Sequence, residues 1–288
     1  MVPNVQPFLH RDSNTWTYIV TEPEGPAAAI IDPVLDFDAR AGRVSTASAE
    51  AVLDHVHEHG LDVQWILETH AHADHLSAGD WLRRQLPGAR LAIGDGIRSV
   101  QREFAPVFNL GADFAVDGSQ FDHLWQADET FTIGALQARV IGVPGHTDDS
   151  CAYLVGDALF TGDSLFLPDS GTARCDFPGG SAATLYRSIR QMYDLPEATR
   201  VFVCHDYGAG GTREVACETT VGEQKRHNIH VRADTGEAEF VQLREARDAT
   251  LSMPALMLPA VQVNIRAGAL PEAETNGVRY LKLPLDRF

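Results

Sequence analysis

A cluster of histidines constrains this chain more than any other feature of its sequence. Three imidazoles and one carboxylate fall within six consecutive residues of the segment Thr69-His70-Ala71-His72-Ala73-Asp74-His75. An apolar run at 63–67, typical of a buried strand, precedes the cluster, and an apolar helical pattern follows it. Neutral imidazole and carboxylate are the usual protein ligands of zinc, iron and manganese. The segment therefore predicts a metal site at the end of a buried strand, and we expect Asp74 and His75 to begin the following helix.

Three later positions repeat this arrangement. In each, an apolar strand pattern stops at a residue of the metal-ligand type, namely His146, Asp163 and His205. Functional sites are commonly built from loops at one edge of a rigid sheet. Four strand ends that each stop at such a residue predict that the four segments converge on one centre.

The order of the predicted elements indicates an α+β fold in which helices cover layered sheets. A hairpin is predicted from strands at 15–20 and 27–31, and strands are dense between 130 and 161. Helices are predicted at 45–59, 97–104, 182–193 and 213–226, and a last strand at 278–283. A polar stretch at 233–239 separates an expected catalytic domain, 1–235, from a C-terminal extension, 236–288, that packs on the same domain.

Charge and composition exclude several classes of partner. Asp and Glu number 40 against 23 Lys and Arg, so the formal net charge is −17 and a nucleic-acid backbone is repelled. No apolar run approaches the roughly 18 residues that cross a bilayer, so no membrane association is expected. The four cysteines form no C-x-x-C pair, and the N-terminus shows no signal-peptide pattern. We therefore expect reduced thiols and a cytoplasmic protein.

With these ligand positions, the chain resembles the metallo-β-lactamase superfamily. Seven positions match its metal motifs in order and residue type: His70, His72, Asp74, His75, His146, Asp163 and His205. The likeness covers roughly residues 15–230. It implies an αβ/βα sandwich of two mixed β-sheets flanked by helices, but it does not specify the reaction, because this fold hosts lactamases, thioesterases, nucleases and oxidoreductases.

Further segments are similar to the persulfide dioxygenases of that superfamily, namely 66–75, 171–177, 185–189 and 205–207. The resemblance implies that one iron ion is held by His70, His146 and Asp163, a 2-His-1-carboxylate triad with open positions for substrate and O₂. The remaining ligand-type residues would surround that triad or bind a second metal; they are His72, Asp74, His75 and His205.

The reaction implied by this resemblance is the oxidation of glutathione persulfide by O₂ to sulfite and glutathione at Fe(II). Glutathione carries two carboxylates, so an acidic protein must supply cations within its pocket. We expect Arg174, Tyr207 and Arg213 to bind the substrate, with the alternative that Arg174 pairs only with Asp176. Some family members carry Cys-Gly-Arg-Thr-Asp-Phe where this chain has Thr-Ala-Arg-Cys-Asp-Phe at 172–177, so no role is assigned to Cys175.

The alternative is a hydrolase of glutathione thioesters similar to glyoxalase II. There one or two Zn(II) ions would use all seven positions, with Asp163 between two metals and a metal-activated hydroxide as nucleophile. The segment 174–176 favours the dioxygenase, as does the lack of an obvious C-terminal helical domain with paired basic residues. A metal-bearing binding module without turnover is a third class, which the intact ligand set disfavours. The native metal and the oligomeric state stay open, a homodimer being one candidate.

Overall fold

The computed structural model describes residues 1–287, in which two six-stranded β-sheets pack face to face. The first sheet has the order β1-β2-β3-β6-β8-β9, formed by Asn4–His10 (β1), Thr15–Thr21 (β2), Ala27–Ile31 (β3), Asp62–Leu67 (β6), Arg90–Gly94 (β8) and His123–Trp125 (β9). The second sheet runs in chain order through Thr130–Ile133 (β10), Leu136–Gly142 (β11), Cys151–Val155 (β12), Ala158–Phe160 (β13), Arg200–Phe202 (β14) and Glu218–Thr220 (β15). A small third sheet joins Val34–Asp38 (β4) to Arg43–Ser45 (β5) and Leu76–Ser77 (β7).

Helices cover both outer faces of this sandwich. They span Ala47–Glu58 (α1), Gly79–Gln85 (α2), Ile97–Val107 (α3), Ala182–Tyr193 (α4), the single turn Gly208–Gly211 (α5), Val221–His227 (α6), Glu237–Asp248 (α7) and Met257–Asn264 (α8). None of the helices in residues 1–287 has the length and apolar character that crossing a membrane requires. The αβ/βα sandwich expected from the sequence is confirmed.

Three apolar cores hold these layers together. Between the sheets, the ring of Phe160 packs 5.2 Å from that of Tyr18 and 5.1 Å from that of Phe202, measured between ring centroids. Outside the first sheet lie side chains of α1, α2, α3 and α8, and outside the second lie those of α4 and α7. The helix α4 begins where the Ser181 hydroxyl accepts a hydrogen bond from Thr184 N at 3.3 Å. Each amphipathic helix thus buries its apolar face on the sheet beneath it.

The directions of the strands bring the predicted ligands to one edge. In the first sheet β3 and β6 are parallel, with Ile31 opposite Leu67. In the second sheet β13 and β14 are parallel, with Phe160 opposite Phe202. The strand β11 runs in the same direction as β13, because β12 lies antiparallel to both. The residues that follow β6, β11, β13 and β14 can therefore meet.

Two predicted elements are wrong. Instead of one helix over 213–226, the chain forms β15 and then α6, because the Thr220 hydroxyl accepts a hydrogen bond from Glu223 N at 3.1 Å and starts the helix there. The expected strand at 278–283 has no regular structure, and the initial strand β1 was not predicted. By contrast, the helix predicted at 182–193 is confirmed.

Two expectations about the surroundings of the site also need correction. Asp74 and His75 lie in the turn before β7, and the next helix begins only at Gly79. The C-terminal part of the chain is helical, because α7 and α8 fall within 236–287. Residue 288 of the expected extension lies outside the described residues. The presence of these helices removes one of the two reasons for preferring the dioxygenase over the hydrolase.

Candidate metal centre

The seven predicted ligand positions lie together where the carboxyl ends of the strands meet. His70 follows β6, His146 follows β11, and His205 follows β14. Asp163 lies in a 3₁₀ turn, Gly162–Ser164, directly after β13. The other three occupy the turn between β6 and β7, residues 70–75, which we call the histidine turn: His72, Asp74 and His75.

One group of side chains has the composition of the expected triad. Ligand atoms of His70, His146 and Asp163 all lie within 4.8 Å of one another. Asp163 Oδ2 is 3.7 Å from His70 Nε2 and 3.6 Å from His146 Nε2. Two nitrogens and one carboxylate oxygen therefore face a common point.

A second group lies beside the first and shares Asp163 with it. It contains His72, Asp74, Asp163 and His205, again with ligand atoms within 4.8 Å of one another. His205 Nε2 is 3.2 Å from Asp163 Oδ1 and 3.3 Å from Asp74 Oδ2. The two oxygens of Asp163 thus face different groups, so the same carboxylate can contact one ion or lie between two. His75 joins His72, Cys204 and His205 in a further, overlapping group.

The donor set fits a metal ion because several of its buried atoms have no hydrogen-bond partner within the protein. This is true of His72 Nδ1 and of the Nε2 atoms of His70 and His75. Leaving such buried polar atoms unpaired costs about 1–3 kcal/mol each, and native proteins rarely tolerate it. A bound cation would satisfy these atoms together.

The imidazoles are oriented by hydrogen bonds on their far sides. His146 Nδ1 donates to Arg174 O at 2.7 Å, and His75 Nδ1 donates to Leu76 O at 3.3 Å. A carbonyl oxygen only accepts, so these contacts place the ring proton on Nδ1 and leave Nε2 free to bind a cation. Two further rings contact hydroxyl groups through Nδ1, His70 with Thr69 at 3.1 Å and His205 with Thr15 at 3.4 Å.

Burial keeps two imidazoles of the histidine turn neutral. It lowers the pKa of both His70 and His72 well below the usual histidine value, and neighbouring imidazoles act in the same direction. Because a metal ion binds the neutral ring, these two histidines need not lose a proton at neutral pH before they coordinate.

The carboxylate shared by the two groups is ionised. Burial alone would raise the pKa of Asp163, but the imidazoles of His205, His70 and His146 hold it well below its usual range. Burial also opposes a charge on His205, but Asp163 and Asp74 raise the pKa of that imidazole to about 10. Asp163 and Asp74 thus favour a positive charge at this point, which the His205 proton supplies in the absence of a metal and a bound cation would supply in its place.

Buried carboxylates that the sequence analysis did not identify hold the histidine turn. Asp32, directly after β3, accepts hydrogen bonds from Thr69 N at 2.7 Å and from the Thr69 hydroxyl at 2.9 Å. Its Oδ1 lies 3.1 Å from His72 Nε2. Asp149 accepts a hydrogen bond from Ala71 N at 2.7 Å. For Asp32 the sequence does carry a signal, namely an acidic residue that directly follows a fully apolar strand.

Asn264, at the end of α8, is a third support of the histidine turn. Its amide nitrogen donates to His72 O at 2.7 Å and to His75 O at 2.8 Å, and its oxygen accepts from Ser77 N at 2.8 Å. These contacts join residues that are more than 180 positions apart in the chain. No local pattern in the sequence points to such a role.

A cavity of about 680 Å³ opens beside the metal groups. Its lining includes His146, Asp163 and Asp74 together with seven residues that follow position 243. Aromatic and aliphatic side chains of the lining are Phe166, Phe177, Tyr207, Ile229, Leu251 and Leu256. The cavity is large enough for a small organic substrate and places it against the candidate ligands.

Two of the three residues expected to bind substrate line this cavity. The Tyr207 ring lies nearly parallel to that of His205, with 6.3 Å between centroids, and the residue is 53% exposed. Arg174 also lines the cavity, but its guanidinium binds Asp176 through two hydrogen bonds of 2.6 Å and donates to Ser252 O at 2.7 Å. The pairing with Asp176 considered as the alternative for Arg174 is thus present.

The third, Arg213, lies outside the cavity lining. Its guanidinium binds two carboxylates, Asp169 at 2.7 Å and Asp206 at 2.6 Å. Asp206 is fully buried and also accepts a hydrogen bond from Ala216 N at 2.7 Å. In this arrangement Arg213 fastens the loop after His205.

Comparison with known proteins supplies a family for this geometry. A family model described as the metallo-beta-lactamase superfamily matches residues 10–205. A "Beta-lactamase hydrolase-like protein" of Agrobacterium fabrum is 53% identical over 287 residues, which cover 99% of this chain but only 65% of that relative. "Glyoxylase B2" of Dictyostelium discoideum is 46% identical and is covered over 97% of its length, with 98% of this chain.

More distant relatives are named for a different activity. "Persulfide dioxygenase ETHE1, mitochondrial" of Bos taurus is 29% identical over 89% of this chain and 85% of its own length. The crystal structure of ETHE1 from Myxococcus xanthus superposes with a TM-score of 0.73 at 30% identity, and it covers 93% of this chain and all of that one. Both hydrolase and dioxygenase names therefore occur among proteins similar to this chain.

Proposed function

Because the chain belongs to the metallo-beta-lactamase superfamily, we propose that it is a non-haem Fe(II) persulfide dioxygenase that acts on glutathione persulfide. Membership of this superfamily makes the chain a metal-dependent enzyme, and the proposal concerns which metal and which substrate it uses. The observation that carries the finer proposal is the convergence of His70, His146 and Asp163 beside an open cavity. Two histidines and one carboxylate are the ligand set of non-haem Fe(II) oxygenases.

The proposed reaction consumes glutathione persulfide, O₂ and water and yields glutathione and sulfurous acid, which is sulfite at neutral pH. The terminal sulfur is oxidised, O₂ is reduced, and the sulfur–sulfur bond breaks so that the inner sulfur leaves as the thiol. When bound, Fe(II) supplies the redox chemistry, while the protein supplies the geometry of the site and the pocket around it.

The side chains described above prepare the site for an anionic substrate. Neutral His70, together with His146 and ionised Asp163, offers one formal negative charge to a divalent cation, which keeps a net positive charge. The hydrogen bond from His146 Nδ1 to Arg174 O and the contact between His70 Nδ1 and the Thr69 hydroxyl hold the two rings in place. An anionic persulfide entering from the cavity is therefore attracted to the floor of the site.

A dinuclear zinc hydrolase of glutathione thioesters is the second candidate function. It is favoured by the second ligand group, which shares Asp163 with the first, and by the name of the Dictyostelium relative. In that case both oxygens of Asp163 would be used, and Asp74 and His205 would bind metal directly. The two functions therefore differ in the number of metal ions per chain.

The metal content and the substrate test the proposal together. Protein purified without chelators is expected to contain about one iron per chain, and the iron-loaded protein is expected to consume O₂ and form sulfite with glutathione persulfide. D163N removes the only charged ligand of the triad and should lose both iron and activity. Metal analysis and an oxygen electrode measure these quantities.

D157N is the matched control, because Asp157 lies in the turn at the opposite end of β13, where it pairs with Arg200. It should retain iron. Normal iron content in D163N would contradict the proposal. Two zinc ions per chain, together with cleavage of S-lactoylglutathione and no O₂ consumption, would establish the hydrolase instead.

A further inference from the structure

We propose that Arg247, on the C-terminal helix α7, binds a carboxylate of the thiol that carries the persulfide. This residue lines the cavity and is exposed to solvent. The identity of the thiol as glutathione rests on the proposed function. The role of Arg247 as an anchor for a carboxylate rests on the cavity itself.

The cavity has three arginines, but two of them are already neutralised. Arg174 is bound by both oxygens of Asp176. Arg244 is 1% exposed and binds Asp248 at 2.7 Å. Among residues 1–287, the guanidinium of Arg247 forms no ion pair and no side-chain hydrogen bond. It is therefore the cation of this cavity that remains available to a ligand.

The carboxylates of the cavity sharpen this assignment. Asp12, Asp74 and Asp163 line it without a partner arginine, and of these only Asp12 lies outside the two metal-ligand groups, so away from the metal site the lining adds a negative charge that repels a second anion. A glutathione carboxylate can approach only where a positive charge offsets this field. The pKa of His230 is lowered to about 4 by burial and by the charges of Arg244 and Arg247, which is consistent with a positive field on this side.

The position of Arg247 is held firmly by its neighbours on α7. Arg244 donates to Thr172 O at 3.0 Å, and Asp248 accepts a hydrogen bond from Cys175 N at 2.8 Å. Both contacts tie the last turns of α7 to segment 172–175, whose Arg174 carbonyl holds the His146 ring. The backbone of Arg247 is thus fixed relative to the metal ligands, and only its side chain is free to meet a ligand.

The rim beside Arg247 suits the uncharged part of a peptide thiol. Tyr207, Ile229 and Leu251 are all at least 41% exposed and all line the cavity. Methylene and peptide groups of glutathione can cover these side chains while a terminal carboxylate reaches the guanidinium. Arginine binds carboxylates through paired, charge-assisted hydrogen bonds.

Binding of reduced glutathione tests the inference without turnover, because this product carries the same carboxylates as the persulfide. Isothermal titration calorimetry on the metal-loaded protein should show that R247Q binds glutathione about 10- to 100-fold more weakly than the wild type. R43Q, which removes an exposed arginine from β5, should bind as the wild type does. The diethyl ester of glutathione should bind equally to wild type and R247Q.

Turnover provides the second readout. In oxygen-electrode assays R247Q should raise KM for glutathione persulfide by a similar factor, with kcat and iron content nearly unchanged. Equal glutathione affinity in R247Q and wild type would overturn the inference, as would an absence of glutathione binding in the wild type. If the wild type binds glutathione through Arg247 but consumes no O₂, the carboxylate anchor stands and the dioxygenase proposal fails.

Discussion

Asp32 illustrates how one buried side chain sets up a metal site that it need not bind. Its backbone adopts a φ of 49°, a left-handed conformation that aspartate tolerates better than most residues. This turn aims the carboxylate at Thr69, the residue before the histidine turn, and at the His72 ring. Such partners of metal ligands fix the ligand geometry.

We predict that D32N weakens metal binding by about 10- to 100-fold, the usual cost of losing a partner of a ligand. The amide of asparagine presents a donor where Thr69 N or its hydroxyl also donates, so the start of the histidine turn should loosen. Competition with a chelator, followed by metal analysis, measures the affinity.

D36N is the control for that experiment. Asp36 accepts hydrogen bonds from Ser48 N at 2.9 Å and from the Ser48 hydroxyl at 2.7 Å, so it supports the start of α1 rather than the metal site. Both variants should unfold more easily, but only D32N should lose metal. Equal metal affinity in D32N and wild type would show that Asp32 acts on stability alone.

At the residue scale, the sequence allowed ligand types to be predicted but not their supports. His70, His72 and His75 lie within six consecutive residues, and a dense cluster of this kind is visible without a structure. Asn264 has no such neighbours, because its partners lie more than 180 positions away. The state of Arg174 was equally open, since only the folded chain shows that Asp176 binds its guanidinium.

At the scale of elements, α8 holds the histidine turn in place through Asn264. Its apolar side packs on the first sheet with Val261 and Val263, which brings Asn264 to the turn. This helix is not predicted from the sequence. The run from Met257 to Val263 is almost entirely apolar, so it lacks the alternation of polar and apolar residues that marks a surface helix.

We predict that N264A lowers the free energy of unfolding by about 3 kcal/mol, because three buried hydrogen bonds of about 1 kcal/mol each are lost. It should also weaken metal binding, since two of those bonds hold the backbone of the histidine turn. Urea denaturation and metal analysis measure the two effects.

Q262A tests whether the effect on metal is specific to Asn264. Gln262 lies on the same helix, is 2% exposed, and bonds to Leu258 O and to the backbone of Lys282. Its loss should destabilise the protein to a similar degree while metal affinity stays normal. A similar loss of metal affinity in both variants would contradict a specific role of Asn264 in holding the histidine turn.

At the scale of the whole molecule, the candidate centre joins two sheets. The histidine turn follows a strand of the first sheet, whereas His146, Asp163 and His205 follow strands of the second. The sandwich itself could be predicted, because alternating apolar strands and amphipathic helices are properties of local sequence. The helical character of the C-terminal part could not, because α7 and α8 depend on contacts with distant segments.

We predict that removal of the metal lowers the melting temperature by at least about 5 °C. An ion present at 100 times its Kd stabilises the native state by about 3 kcal/mol, and each kcal/mol corresponds to about 2–4 °C in a protein of somewhat smaller size. Differential scanning calorimetry of chelated and reloaded protein measures the shift.

D163N should show little change in melting temperature on chelation, because it has lost the carboxylate shared by both ligand groups. An unchanged melting temperature in the chelated wild type would mean that the bound ion adds no measurable stability to the folded protein.

The late position of Asn264 in the chain has a consequence for biosynthesis. Every ligand-type residue of the centre lies between positions 70 and 205, and Arg247 and Asn264 come after them. At a synthesis rate of about 5–20 residues per second, Asn264 leaves the ribosome several seconds after His205, the last histidine of the site. The imidazoles of the nascent chain therefore emerge before Asn264 can hold the histidine turn, and the centre is complete only after Asn264 has emerged.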